Sequence, residues 1–459
     1  MYTTIVEKAN TLGASYCDLR VQDSSETNIE IRNKELIKSV SGKETGFGIR
    51  VIVKGTWGFY SSNSVSKSSL NNGLKKAIAL ANSSSKLKAE KVGLAEVKNI
   101  KDSVIWSVKK NPLDYSLEEK KSLMNCITKA LCDFPEVKNT NIGYVDDVTR
   151  SIFINSEGSN VVNVVTRTFL QGSIVVRSNG NITSIRTRMG GTCGYELFDK
   201  LDPAVQSIEA AKKAIRMLTA KPAPSGRLSV VADPELAGVF AHEAVGHACE
   251  ADLVVSGESI LQNRIGEQIG SEGVTVVDDP TIKNGFGSFP HDDEGVKARK
   301  KILIKNGVLR EFIQDRYTAD KLGMKTNGGA RAESFAHRPL VRMSNTMIEN
   351  GDLSFNELIE DIKYGVYAKG TRGGQVDVVK GNFQFSAQEA FLIENGRITE
   401  PLKDFSLSGS TITTLKNIDA IGNDAVLGDP GFCGKGQLVP VGDGGPHIRI
   451  QNVIVGGKS

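Results

Sequence analysis

Residues 228–247 read LSVVADPELAGVFAHEAVGH, and this stretch sets the order of the local structural elements. The run Leu228–Ala232 is short, apolar and rich in β-branched residues, which is typical of a buried strand. Asp233 is a favourable N-cap and Pro234 suits the first helical position, so a helix should begin directly after the strand. Apolar residues then recur at helical spacing. The stretch therefore predicts a strand, a capped turn and a helix.

The predicted helix carries two histidines, His242 and His247, with Glu243 beside the first. Imidazole nitrogens bind Zn²⁺, and a carboxylate next to a ligand can deprotonate a zinc-bound water. The segment therefore predicts a zinc-hydrolase site. The alternative interpretation is a pair of helix histidines that form hydrogen bonds in the core, with Glu243 facing solvent.

The two histidines are one residue further apart than in the common H-E-x-x-H motif. At about 100° per residue, positions five apart differ by ~140° around a regular helix and cannot share one metal ion. A π-bulge absorbs one extra residue and is frequent at functional sites. Gly246, just before the second histidine, gives the backbone the freedom to adopt it. The spacing therefore predicts a distorted helical turn.

The composition is that of an ordinary globular protein. The chain has 459 residues, enough for two or three domains, with 39% hydrophobic and 24% charged residues, as in ordinary globular proteins. Its net charge of +4 does not indicate a nucleic-acid binder. No stretch approaches the length of a membrane-spanning helix, and the six cysteines form no disulfide pattern. We expect a cytoplasmic protein without nucleic-acid or membrane partners.

Three sections are predicted along the chain. They are an N-terminal α/β domain over 1–100, a middle α+β domain over 110–220 and a β-rich C-terminal metallopeptidase domain over 227–459. The lysine-rich residues 83–91 are interpreted as a solvated link, and the proline-rich residues 221–226 as a boundary. The predicted fold class is α+β, an N-terminal α/β unit followed by largely antiparallel sheets, with the metal-binding motif on a C-terminal helix.

Local patterns predict several turns and helix starts. Two Asn-Gly pairs between strand-like runs predict type I′ hairpins, namely Asn306-Gly307 and Asn395-Gly396. Two capping boxes predict helix N-termini, namely Ser116 with Glu119 and Ser354 with Glu357.

A catalytic zinc needs three protein ligands and one open position. Glu250 is three residues past His247 and is either a ligand or a surface carboxylate; we favour the second, because the third ligand usually comes from elsewhere in the fold. Cys249 is interpreted as a small packed residue. Cys433 lies in a glycine-rich loop, and a thiolate is an excellent zinc ligand.

Cys433 is one of several candidates on chemical grounds alone. His291, His337 or an acidic residue are alternatives, and Cys433 itself is otherwise an inert buried thiol. For stabilising a developing oxyanion the candidates are Arg331, His337, Tyr317 and His291. The acidic run Asp292–Glu294 either orients a ligand or forms an acidic turn. Four basic residues, Lys297, Arg299, Lys300 and Lys301, are interpreted as a solvated face.

Longer runs resemble the TldD subunit of the TldD/PmbA (TldD–TldE) metalloprotease family. The matching residues are His242–His247, Val276–Pro280, Asp292–Gly295, Gly329–Arg331, Arg342–Thr346, Cys433–Lys435 and Val439–Gly442. The resemblance covers nearly the whole chain, and the TldD-type subunit has the H-E-x-x-x-H motif that its PmbA/TldE-type partner lacks.

The resemblance implies a zinc peptidase acting on peptides or unfolded polypeptides. The implied zinc ligands are His242, His247 and Cys433, and Glu243 is the implied general base. The implied partner is a PmbA/TldE-like subunit that closes a chamber around the site, or a second copy of the chain. The alternative is a non-catalytic regulatory or binding subunit with a structural metal. Glu243 favours the peptidase, because a structural site needs no general base and usually has four protein ligands.

Overall fold

A computed structural model describes residues 1–86 and 90–457 of the chain. It is 24% helical and 43% strand, with mostly antiparallel sheets, which confirms the predicted α+β class. The predicted link over 83–91 includes residues 87–89, which lie outside the described residues. In the part of the chain that the structure describes, no helix is long and apolar enough to cross a membrane.

The first section consists of two long strands, shorter strands and two helices. Its elements are α1 (Tyr2–Thr11), β1 (Tyr16–Arg32), β2 (Glu35–Val53), β3 (Thr56–Ser62), α2 (Lys67–Ser84) and β4 (Lys101–Ile105). Ser66 caps α2 by accepting a hydrogen bond from the Ser69 amide. Leu70, Leu74 and Ala81 are buried at helical spacing, so one face of α2 packs on the sheet.

The second section repeats this combination of long strands and helices. Its elements are α3 (Leu117–Ala130), β5 (Val137–Asn155), β6 (Asn160–Ser178), β7 (Asn181–Gly191), α4 (Leu197–Lys200) and α5 (Pro203–Met217). The capping box predicted at the start of α3 is confirmed, with both the Ser116 and Glu119 hydrogen bonds formed.

Strands of the first two sections form one sheet, in the order β3-β2-β1-β5-β6-β4, with β7 paired to β6. The junction is the antiparallel pair β1–β5, which runs from Asp18 opposite Asn155 to Arg32 opposite Asn141. The predicted section boundary near residues 100–110 therefore separates two parts of the chain that share a continuous sheet. The boundary itself stays a prediction.

The third section is rich in short strands. Its elements are β8 (Lys221–Pro222), β9 (Gly226–Ala232), α6 (Pro234–Val239), α7 (Ala251–Val255), β10 (Val276–Asp278), β11 (Lys301–Lys305), β12 (Val308–Leu309), α8 (Arg316–Leu322), β13 (Ala330–Arg331), β14 (Leu340–Val341), β15 (Asn345–Ile348), α9 (Phe355–Ile359), β16 (Tyr364–Lys369), β17 (Gly373–Asp377), β18 (Asn382–Ser386), β19 (Glu389–Glu394), β20 (Arg397–Lys403), β21 (Ser406–Ser410), α10 (Thr411–Asn417), β22 (Ile418–Ile421), β23 (Val426–Gly434), β24 (Leu438–Gly445) and β25 (Ile448–Gly456).

These strands form a ten-stranded and a six-stranded sheet around a common apolar core, and β13 and β14 form a separate two-stranded sheet. The predicted Asn-Gly hairpins are confirmed: β11–β12 and β19–β20 each turn through an Asn and a Gly with positive φ. The capping box at Ser354 is also confirmed, although α9 is short. Strand β9 belongs to the larger sheet and β24 to the smaller one, and α6 contacts both. The motif segment that follows α6 is thus held inside the core.

Candidate metal centre

The motif segment has the local structure predicted for it. β9 ends at Ala232, the Asp233 carboxylate accepts a hydrogen bond from the Leu236 amide at 2.9 Å, and Pro234 opens α6. The chain then forms a π-helical turn over Phe240–Gly246, followed by a 3₁₀ turn over His247–Cys249. The distortion inferred from the five-residue spacing is therefore present.

The reason for glycine at position 246 differs from the predicted one. Gly246 has a helical φ of −58° and ψ of −51°, which any residue can adopt. A Cβ atom at this position would lie 2.1 Å from the Met343 sulfur. Glycine therefore leaves room for the buried Met343 side chain, which packs directly on the motif backbone, and the turn itself needs no unusual conformation.

The π-helical turn brings the two histidines together with Cys433. One donor atom from each of His242, His247 and Cys433 lies within 4.8 Å of the others. Cys433 Sγ is 3.3 Å from His247 Nε2, and the two imidazole rings are nearly perpendicular, with centroids 5.3 Å apart. Cys433 reaches the histidines from β23, where it is paired with Val439 of β24.

The three side chains have the properties of a metal site. His242 and Cys433 are buried, and His242 Nδ1 has no hydrogen-bond partner among the described residues. Burial alone would raise the pKa of the Cys433 thiol, but the neighbouring His242 and His247 outweigh it and lower the pKa to about 5. A buried set of two imidazoles and one thiolate-forming cysteine matches the donors that zinc prefers.

Glu250 is neither a surface carboxylate, as favoured from sequence, nor one of the three clustered donors. It is fully buried, and its Oε2 lies 2.9 Å from His247 Nδ1. An Nδ1–H that donates to this carboxylate leaves Nε2 as the free nitrogen facing Cys433. Burial would raise the pKa of Glu250, but His247 and Lys435 lower it to about 2. Its position three residues after His247 was the sequence signal for this contact.

Two cations tie Glu250 to the loop that carries Cys433. Lys435 Nζ lies 3.1 Å from Glu250 and 2.9 Å from Asp252. Arg342 Nε lies 3.6 Å from Glu250, while its Nη2 donates to the Cys433 carbonyl at 2.6 Å. One network of charges therefore holds both the Glu250 carboxylate behind His247 and the strand that carries Cys433.

Glu243 differs from the three clustered donors in being accessible. Its side chain is 36% exposed, and its Oε2 lies 3.8 Å from His247 Nε2. It is thus next to the cluster without being enclosed in it. Cys249 is fully buried, and burial raises its pKa, which agrees with its interpretation as a packed apolar residue.

The four candidates for oxyanion stabilisation contact other groups of the protein. Three of them bond to other groups: Arg331 Nη1 donates to the Met343 carbonyl, His291 Nδ1 is 3.1 Å from Asn163 Oδ1, and His337 Nδ1 is 3.0 Å from Ser334 Oγ. Tyr317 lies beneath the Lys321 ammonium, 5.7 Å from its ring centroid. Neither His291 nor His337 is among the clustered donors His242, His247 and Cys433.

The acidic run joins the N-terminal sheet to the C-terminal domain. Asp293 lies 3.4 Å from Arg20 of β1, and Glu294 lies 3.0 Å from Arg50 of β2. Asp292 accepts hydrogen bonds from three backbone amides. The three carboxylates are therefore engaged within the protein.

The predicted solvated face is wrong at one position. Lys301 is fully buried, and its Nζ lies 2.9 Å from Asp278 Oδ2, which is also fully buried. Lys301 is the first residue of β11 and lies directly opposite Asp278 of β10 in the antiparallel register. Lys301 is thus a core residue because a buried anion compensates its charge.

Comparisons with known proteins identify one family over nearly the whole chain. Three models of the PmbA/TldA metallopeptidase family match: domain 1 at residues 17–81, the central domain at 110–218 and the C-terminal domain at 225–457. A metalloprotease of Methanothermobacter thermautotrophicus is 45% identical over 443 residues, which are 96% of this chain and 95% of that protein.

Two further proteins are similar over almost their full length. A zinc metalloprotease TldD homolog of Saccharolobus solfataricus is 32% identical, with 98% of this chain and 99% of that protein covered. The crystal structure of TldE from Thermococcus kodakarensis has the same fold, with a TM-score of 0.79, 21% identity and 99% of each chain covered. The family models and the identities together lead to one conclusion: the chain belongs to the PmbA/TldD metallopeptidase family.

Proposed function

We propose that this protein is a zinc-dependent peptidase that hydrolyses peptides or unfolded polypeptides. The observation that carries the proposal is the convergence of His242, His247 and Cys433 within 4.8 Å beside the half-exposed Glu243. His242, His247 and Cys433 are the proposed zinc ligands, and Glu243 is the proposed general base. The printed name of the Saccharolobus relative, a zinc metalloprotease, supports the choice of metal.

A zinc ion held by these ligands would act as a Lewis acid, lowering the pKa of water and polarising a carbonyl group. The residues of the protein carry out the proton transfer. Glu243 Oε2, 3.8 Å from His247 Nε2, accepts a proton from the attacking water and returns it to the leaving amine. Glu250 holds the His247 ring through Nδ1, so that Nε2 keeps its lone pair for the metal.

A purely structural metal site is the alternative function. Structural zinc sites usually have four protein ligands and no open position. Here three donors cluster among the described residues, and the accessible carboxylate of Glu243 lies beside them. This arrangement favours the catalytic proposal over a non-catalytic regulatory or binding subunit.

We further propose that the chain works with a PmbA/TldE-like subunit in the cytoplasm, with a homodimer as the alternative assembly. The likeness to TldE supports two chains of one fold that pair with each other. Co-purification of the native protein, followed by mass determination of the complex, tests this part. Recovery of the chain alone at the mass of a monomer would contradict both assemblies.

The catalytic proposal is tested by zinc content and by hydrolysis of a peptide mixture, in the wild type and in Glu243→Ala. General acid–base groups typically contribute about 10²–10⁴-fold, so we expect activity to fall by that factor while zinc stays bound. Glu272→Ala, which changes an exposed glutamate in the same domain, is the matched control. Full activity of Glu243→Ala would refute the general-base role, and a metal-loaded wild type without hydrolysis would favour the structural alternative.

A further inference from the structure

A cavity of about 610 Å³ lies between the long N-terminal sheet and the C-terminal domain. Residues of β5 and β6 form one wall, and the loop over 286–293 with residues 331–334 forms another. The β23–β24 hairpin contributes Phe432 and Pro440. Because side chains alternate along a strand, Phe432 faces this cavity while the adjacent Cys433 faces the metal centre.

One end of the cavity is aromatic. The rings of Phe169, Phe286 and Phe432 are in mutual contact, with centroids 5.2 to 5.5 Å apart. Phe432 is 49% exposed, although it lies beside a buried cysteine. This end therefore presents apolar surface to whatever enters the cavity.

Next to the aromatic end are two guanidinium groups whose hydrogen-bond partners are backbone carbonyls, with Asp147 and Asp293 as the nearby carboxylates. Arg331 is 6% exposed, donates through Nη1 to the Met343 carbonyl at 2.6 Å, and lies 5.1 Å over the Phe289 ring. Arg167 donates to the carbonyls of Phe286 and Ser288. Among the described residues, no carboxylate oxygen comes within 4.0 Å of either group. Burial lowers the pKa of Arg331 to about 9, and the nearby Arg167 adds to the effect.

Four of the six carboxylates that line the same cavity accept hydrogen bonds within the protein. Asp292 is bonded to backbone amides, Asp293 to Arg20 and the Ala332 amide, and Glu333 to the Leu438 amide. Asp147 lies opposite Arg167 in the strand register, but its oxygens bond to the hydroxyl of Thr149 at 2.8 Å. The remaining two, Glu26 and Glu44, belong to β1 and β2. Arg331 is buried with a carbonyl oxygen rather than a carboxylate as its hydrogen-bond partner, so an incoming anion would be stabilised beside it.

We infer that Arg331, assisted by Arg167, binds a carboxylate of the polypeptide substrate, and that the three phenylalanines contact an apolar side chain next to it. The inference rests on the proposed function for the nature of the ligand. The carboxylate is either the free C-terminus or an aspartate or glutamate side chain, since both offer two oxygens to a guanidinium. The cavity thus selects substrates by charge, on the opposite side of the hairpin from the metal centre.

Peptide binding tests the inference without requiring hydrolysis. Three N-terminally dansylated octapeptides of Ala, Gly and Phe serve as probes, because the dansyl group is uncharged: one with a free C-terminus, one amidated, and one amidated with a single internal Glu. Fluorescence anisotropy gives their affinities for the zinc-loaded Glu243→Ala protein and for Arg331→Gln, Arg167→Gln and Arg177→Gln in that background. Arg177 is an exposed arginine on the same strand as Arg167 and is the matched control.

At least one carboxylate-bearing peptide is expected to bind about tenfold or more tightly than the neutral amide, which is about 1.4 kcal/mol. Tighter binding of the free acid identifies the C-terminus, and tighter binding of the Glu peptide identifies a side chain. Arg331→Gln should remove the difference, Arg167→Gln should reduce it, and Arg177→Gln should leave it unchanged.

Equal affinity of the three peptides, or an equal loss for all three in Arg331→Gln, would overturn the inference. If Arg331→Gln does not fold, the affinities of the three peptides for the parent protein and for Arg167→Gln still show whether binding depends on the carboxylate. Carboxylate-dependent binding without hydrolysis by the wild type would refute the proposed function alone. Hydrolysis with no carboxylate preference would refute this inference alone.

Discussion

Replacing Glu250 by glutamine removes one negative charge from the centre of the network behind the metal site. The side chain is fully buried, 2.9 Å from His247 Nδ1, 3.1 Å from Lys435 and 3.6 Å from Arg342. Glutamine has the same shape, so the change tests the charge and the direction of the hydrogen bond rather than packing.

Two effects follow from these contacts. Removing one partner of a buried ion pair typically costs 3–5 kcal/mol, and Lys435 keeps Asp252 at 2.9 Å, so we expect about 3 kcal/mol. Loss of the partner that orients a metal-binding histidine typically weakens metal affinity by about 10–100-fold. We therefore expect both lower stability of the metal-free protein and weaker zinc binding.

The first effect is measured by denaturant unfolding of the chelator-treated protein, and the second by competition for zinc with a chromophoric chelator. Glu258→Gln changes an exposed glutamate eight residues further on and should alter neither quantity. Lower stability with unchanged zinc affinity would refute the role of Glu250 in orienting His247. Unchanged stability and unchanged affinity would refute the whole account of the network.

Three shorter predictions concern the turn, the third ligand and the core. Gly246→Ala introduces a Cβ atom 2.1 Å from a buried methionine sulfur, so overpacking should destabilise the protein by about 1–3 kcal/mol in thermal or denaturant unfolding, whereas Gly42→Ala, with open surroundings, should not. Cys433→Ser should lose most of its zinc by elemental analysis, and normal stoichiometry would exclude Cys433 as a ligand; the exposed Cys126→Ser is the control. Burial would raise the pKa of Asp278, but Lys301 and the hydrogen bonds from Ser344 lower the pKa overall. The ionised Asp278 therefore stabilises the fold above the unfolded-state pKa of about 3.9, and this stabilisation is lost as the pH falls from there through the lower pKa of the folded state. Unfolding of Asp278→Asn between pH 3 and 7 should therefore show a shallower loss of stability at the acid end than the wild type, and equal slopes would contradict this.

Features that depend on neighbours within a few residues could be predicted from the sequence. The N-cap at Asp233, both Asn-Gly hairpins and the two capping boxes are such features. The π-helical turn also belongs here, because the angle between positions five apart on a helix is a local quantity.

Features that depend on residues far away in the sequence could not be predicted from the sequence. The first two sections share a sheet because β1 pairs with β5, more than a hundred residues later. The sequence predicts a surface lysine at position 301, whereas in the fold β10 places the buried Asp278 opposite Lys301. The sequence favours a surface carboxylate at Glu250, because it does not reveal that Arg342 and Lys435 surround this side chain.

The metal centre combines both kinds of information. The sequence alone determined the donor types, the order of strand and helix, and the need for a distorted turn between His242 and His247. Only the tertiary structure decided that Cys433 reaches His247, that Glu250 is buried behind it and that Gly246 makes room for Met343. The physical reason is range: helix geometry and capping act over one or two turns, whereas burial, charge compensation and packing are set by segments that meet only when the chain is folded.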